Sequence, residues 1–125
     1  MKIRWHRNEL RYRVSPAELE NLLRGETVSE TVGEPNGLRA SLAAADESTI
    51  TFPAPGHVRV ALAPADRDTL ARPDTEGVYL GDAALRYYVE KDFPCLHPRA
   101  TETVSPESET FAPTESFLAR AEQRA

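Results

Sequence analysis

A single cysteine, Cys95, stands in a chain of 125 residues. With no second thiol to oxidise against, an internal disulfide is excluded and packing alone must hold the fold. Long apolar runs are also missing. None approaches the roughly 20 residues that cross a bilayer as a helix, and the opening MKIRWHRNELRYR lacks the apolar stretch of a secretory leader. The expectation is a cytoplasmic protein without membrane contact. There is no glycine-rich phosphate loop, no nucleophile elbow, no Cys-x-x-Cys and no His-Glu-x-x-His, so no motif points to a cofactor or a metal. Nor is there an excess of positive charge. The net charge of −5 argues against nucleic acid as a partner, whose binders are basic overall.

What is present is an ordinary globular composition, 40% hydrophobic, at a length that suits one core rather than two. The charge is unevenly distributed. Lys2, Arg4, Arg7, Arg11 and Arg13 face only Glu9 within the first fourteen residues, so the protein opens with a basic patch although it is acidic as a whole. That patch alternates apolar with polar residues at Lys2–His6 and Leu10–Val14 around Asn8-Glu9, the pattern of a hairpin with one wet face. A helix start follows: Ser15 as N-cap, Pro16 at the first helical position, Glu18 three residues after the cap, and Gly25 at the far end.

The same order of features returns later in the chain. Val58 stands 48 residues after Leu10, as Pro64 does after Pro16 and Leu70 after Leu22, and Leu85-Arg86 follows Leu38-Arg39 at a spacing of 47. Two more hairpins, turning at Glu34-Pro35-Asn36-Gly37 and Gly81-Asp82, complete the two copies. The reading is an α+β fold, mostly antiparallel β, in which a strand-strand-helix-strand-strand unit occurs twice, at about residues 1–46 and 48–92. About eight short strands would form a barrel-like or strongly curved sheet with two short helices. The alternative is a two-layer α/β sandwich. Residues 1–99 make the single domain. Residues 100–125, rich in Glu, Thr, Ser and Pro, read as an acidic, largely disordered tail with a short terminal helix around Phe117, Leu118 and Ala121.

An apolar residue followed by arginine recurs at strand positions: Ile3-Arg4, Leu10-Arg11, Leu38-Arg39, Val58-Arg59 and Leu85-Arg86. Alternation across a strand lets the apolar members face the core while the arginines share the other face. Together with Lys2 and Arg13 they make a candidate surface for a phosphorylated or carboxylated small molecule or an acidic protein segment, because the guanidinium fork gives two parallel charge-assisted hydrogen bonds. The competing reading is a solvated face paired with Glu and Asp. The aromatics Trp5, Tyr12, Phe52, Tyr79 and Tyr87 read as core, and Tyr88 as stacked on the arginine face. Cys95 and His97 form the only candidate catalytic pair, with Cys95 as nucleophile and His97 as base. His6 and His57 could join them only in a metal site for which the spacing gives no support. The apolar neighbours Phe93, Pro94 and Leu96 instead mark Cys95 as a buried anchor.

The stretches KIRWHRNELRYRVSPAELENLLRG and LRYYVEKDFPCLHPR, above all Glu90-Lys91-Asp92-Phe93-Pro94-Cys95-Leu96, resemble an uncharacterised family of small bacterial proteins. Its members open with a Lys-Ile-Arg hairpin and a Ser/Thr-x-x-Glu helix and end in a Glu-Lys-Asp-Phe-x-Cys-Leu block. The resemblance covers roughly residues 1–99. It implies one compact domain and assigns no activity, cofactor or site residue.

These observations favour a small domain that acts by binding rather than catalysis. A Cys95-dependent enzyme, or an assembly protein whose strand edges or terminal helix join copies into a homo-oligomer, is the alternative. If Cys95 is an anchor, iodoacetamide at neutral pH leaves it unmodified in the folded protein and alkylates it on unfolding. Fast alkylation of the folded protein supports the enzyme instead.

Overall fold

Period-two alternation and well-placed turn residues give β1 (Lys2–His6) and β2 (Glu9–Val14), then β3 (Val28–Val32), β4 (Leu38–Ala44), β5 (Thr49–Ala54), β6 (His57–Leu62), β7 (Gly77–Gly81) and β8 (Arg86–Lys91). Helix α1 (Pro16–Leu23) lies between β2 and β3, and α2 (Pro64–Ala71) between β6 and β7. These come from a computed structural model that describes residues 1–93. Expectations for Cys95, His97 and the acidic tail lie outside the described residues.

The strands form two four-stranded sheets, β1-β2-β8-β7 and β3-β4-β6-β5. Hairpin partners are antiparallel, whereas the central pairs β2·β8 and β4·β6 are parallel. The duplication appears in the register itself. Leu10 pairs with Tyr87 and Tyr12 with Val89 in the first sheet, and their counterparts Val58 and Val60 pair with Ala40 and Leu42 in the second. The flanking backbone bonds repeat too: Arg86 N–H donates to the Asn8 carbonyl at 2.8 Å and Arg39 N–H to the Gly56 carbonyl at 2.8 Å. Each sheet takes one hairpin from each copy, so the two copies interlock rather than sit side by side.

The sheets do not close into the expected barrel, because β1, β7, β3 and β5 remain edges. Three of the edges carry features that oppose pairing. Strand β5 holds Pro53 and an irregularity between Thr51 and Ala54, β7 begins and ends in glycine, and β3 places Glu30 among its inward positions.

One core fills the space between the sheets. Tyr12, Val14, Leu42, Val60, Leu62 and Val89 from the central strands are fully buried with Leu22 of α1 and Leu70 of α2. Both helices follow the C-terminal ends of β2 and β6, and α1 packs on β2, β3, β4 and α2. They cover that end of the core.

The helices start differently. In α1 the Ser15 hydroxyl accepts from the Glu18 N–H at 3.2 Å, and the Glu18 carboxylate accepts from the Ser15 N–H at 2.9 Å, a complete capping box. At α2 the cap is Ala63, which has no side-chain acceptor, and its N–H donates instead to Ser48 Oγ at 2.8 Å. Glu18 also accepts from the Met1 amino group. Burial pushes the Glu18 carboxyl up, but bonds from Met1 and Ser15 outweigh it and hold the group below its ordinary value.

Ser15→Ala is expected to lower unfolding free energy in urea by about 1 kcal/mol, and Ala63→Ser to raise it by about 0.5 kcal/mol. The stability owed to Glu18 is fully present above the ordinary carboxylate pKa and is lost as pH falls through the lowered folded value. Glu18→Gln should therefore flatten the acid limb of the stability–pH curve. An unchanged limb would show that the carboxylate gains nothing on folding.

Candidate functional site

Strand alternation places Lys2, Arg4 and His6 of β1, Arg11 and Arg13 of β2 and Arg86 of β8 on the outer face of the first sheet, away from the core. Arg39 and Arg59 lie on the outward positions of the second sheet. The expected arginine surface is thus divided, with Lys2, Arg4, Arg11, Arg13 and Arg86 brought together and Arg39 and Arg59 set apart.

Two members of the first group, Arg11 and Lys2, are already neutralised. Arg11 lies 2.9 Å from Glu9 and 3.0 Å from Glu90, with its guanidinium 5.3 Å from the centre of the Tyr88 ring. Tyr88 meets Tyr79 edge to face at 5.0 Å, and Tyr79 donates to Glu90 at 3.1 Å. Partial burial and the Glu90 charge push the Tyr79 phenol upward. Lys2 pairs with Asp92 at 2.8 Å, and Arg39 with Glu34 at 3.5 Å. Among the described residues no carboxylate pairs with Arg4, Arg7, Arg13, Arg59 or Arg86. Arg11 therefore serves the sheet, stacked and clamped, and Arg4 beside it keeps its charge available.

The larger feature was not legible in the residue pattern. At the end of the core opposite the helices, the turns at Arg7-Asn8 and Pro55-Gly56 and the start of β4 and approach to β8 surround a cleft of about 730 Å³. Its walls are apolar: Ile3 and Trp5 of β1, Ile50 and Phe52 of β5, Val32 and Leu38 of the β3–β4 hairpin, with Leu10 and Val58 deeper in. Arg7, Arg39 and His57 contribute to the rim. Glu9 and Glu30 also line it, but Glu9 is bound to Arg11 and Glu30 to the Met1 amino group. The turns pack closely here. Gly56 has φ +75°, and a Cβ on it would come within 2.8 Å of the Gly37 carbonyl.

Trp5 and Phe52, expected in the core, are 78% and 66% exposed. They occupy inward positions of their strands, but on edges at the open end no side chain of the opposite sheet covers them. Tyr79 fails as a core residue for another reason: Val78 takes the inward position, which turns Tyr79 out against Tyr88. Tyr12 and Tyr87 are buried as expected. Desolvation pushes the Tyr12 phenol far above its ordinary value, while its hydroxyl donates across the core to the Val58 carbonyl at 3.3 Å.

One pairing was not anticipated. Ser41 Oγ lies 2.9 Å from His57 Nε2. Ser41 is 3% exposed, and among the described residues no carboxylate bonds to the His57 ring, so the pair lacks both access and the orienting acid of a hydrolytic triad. Among the described residues no three His, Cys, Asp or Glu side chains converge on a metal-sized site, and no helix is long and apolar enough to cross a membrane.

Residues 1–112 match a family of unknown function, DUF7009, and the chain belongs to it. No curated protein and no solved structure matches the chain. The shared sequence thus supports a common fold and assigns no reaction.

Arg11→Ala should cost about 1 kcal/mol in urea unfolding, because it leaves Glu9 and Glu90 without their shared cation. Arg4→Ala should stay within about 0.5 kcal/mol of the parent. Equal losses at both positions would show that Arg11 is no more structural than its neighbour.

Proposed function

We propose that the protein is a non-catalytic binding domain, and that the apolar cleft at its open end receives the apolar side chains of an acidic partner segment. The observation that carries this reading is the convergence of Ile3, Trp5, Val32, Leu38 and Phe52, all substantially exposed, on one cleft. Contiguous exposed apolar surface costs solubility and marks an interaction site, and tryptophan is the side chain most enriched among energetic anchors of interfaces. The charge around it supports an acidic partner. Arg7 on the rim and Arg4 on the neighbouring outer face have no carboxylate partner among the described residues, while the nearby acids Glu9 and Glu30 are already paired.

The sole tryptophan of the chain sits in the cleft, so its fluorescence reports occupancy directly. The dye anilinonaphthalenesulfonate, an apolar anion, should bind the native full-length protein, quench Trp5 and bind more weakly as salt is raised. Phe52→Ala should weaken it at least about fivefold with the circular dichroism unchanged, since removing an aromatic wall forfeits about 1 kcal/mol or more of apolar contact. Dye binding that ignores this substitution, or no binding to the native protein, would overturn the reading.

A further inference from the structure

Strand β1 is the edge guarded by charge alone. All five of its residues are exposed, and it contains no proline, glycine, bulge or inward charge. Its inward side chains, Ile3 and Trp5, form a wall of the cleft, and its outward ones are Lys2, Arg4 and His6. In register with them across the sheet stand Arg13, Arg11 and Glu9.

Resting on the cleft reading above, we infer that β1 recruits its partner by strand addition: an extended segment alternating apolar with acidic residues pairs along Lys2–His6 as a fifth strand of the first sheet. An unpaired edge offers a row of backbone donors and acceptors that an incoming strand satisfies, and alternate pockets then select its side chains. Alternation fixes what that strand must carry. Residues on its inner face fall beside Ile3 and Trp5 and enter the cleft, so they are apolar. Residues on its outer face fall beside Lys2, Arg4 and His6, so they are acidic. The charge on Arg4 disfavours a second copy of this chain on this edge, since antiparallel β1 against β1 in register sets Arg4 against Arg4, and like charges directly opposite are destabilising.

The probe is a capped peptide of about seven residues alternating glutamate and valine, titrated into the full-length protein at low salt and read by Trp5 emission. The geometry requires saturable binding with a shift of the emission to the blue. Two N-methylated versions, one on the glutamates and one on the valines, separate backbone pairing from side-chain contact, because only one set of N–H groups faces β1. One version should bind at least about tenfold more weakly and the other about as well as the parent, since each lost N–H bond is worth about 1 kcal/mol. A lysine–valine peptide should not bind the parent protein but should bind Arg4→Glu more tightly than the glutamate–valine peptide does. Strand addition is overturned if both methylated peptides bind as tightly as the parent peptide. It is also overturned if the dye enters the cleft while no peptide binds, an outcome that leaves the cleft reading standing. Failure of dye and peptide together removes both readings. Sedimentation showing a dimer dissociated by Arg4→Glu would give the edge to a second copy and overturn the inference as well.

Discussion

Parallel pairing between the two copies is the constraint on which the rest of this structure depends. A hairpin alone buries one face of nothing, and a ββαββ unit alone has two hairpins and a helix too short to cover them. In this chain β2 joins β8, and β4 joins β6, so both sheet centres are made by strands from different copies. Every fully buried residue of the strand core lies on one of those four strands. Neither copy can complete its core without the other. The connection lengths follow from this, because a parallel neighbour cannot be reached by a tight turn and each chain crossing runs through other elements first.

The interlocking also explains why the two copies differ where they do. Tyr12 and Val60 occupy equivalent positions, as do Ala40 and Tyr87. Both tyrosines belong to the first sheet, and the valine and alanine to the second. The exchange puts bulk on one side of the core and space on the other, as close packing between facing layers requires. A strictly symmetric interior would set tyrosine against tyrosine across the sandwich, or leave a void where alanine meets valine. The hydroxyl of Tyr12 then reaches the Val58 backbone of the opposite sheet, so the enlarged side chain also ties the two sheets together.

Much of this organisation was legible in the sequence. The spacing of 48 between Leu10 and Val58 and between Leu22 and Leu70 reflects positions that are spatially equivalent. The Ser15-Pro16 start and the Glu18 capping box follow from local chemistry, which needs no knowledge of the rest of the fold. What stayed hidden was the pairing between distant strands. Alternation says which face of β1 is apolar, and it cannot say whether a second sheet covers that face. Trp5 and Phe52 therefore read as core while standing at the open end. The arginines illustrate the same gap. Alternation puts each on the outward side of its own strand, but whether Arg11 and Arg59 share a surface depends on which strands join one sheet, and that is decided by contacts far apart in the chain.

The two strand edges that wall the cleft, β1 and β5, are equivalent in the duplicated frame. The inward residues of β1 and β5 are alike in kind, Ile3 and Trp5 against Ile50 and Phe52, so both copies supply apolar walls to the cleft. Their outward residues have diverged. Strand β1 carries Lys2, Arg4 and His6, whereas β5 carries Thr49 and Thr51 before Pro53 interrupts it. Edge charge and edge proline are two different protections against unwanted strand pairing, and the two copies carry one each. They act differently: proline removes a backbone donor from β5, whereas the charges on β1 leave its donors and acceptors in place and repel strands of like sign. Stability accounts for the residues the copies share, and the outward side of each edge, which makes no core contact, is where they are free to differ.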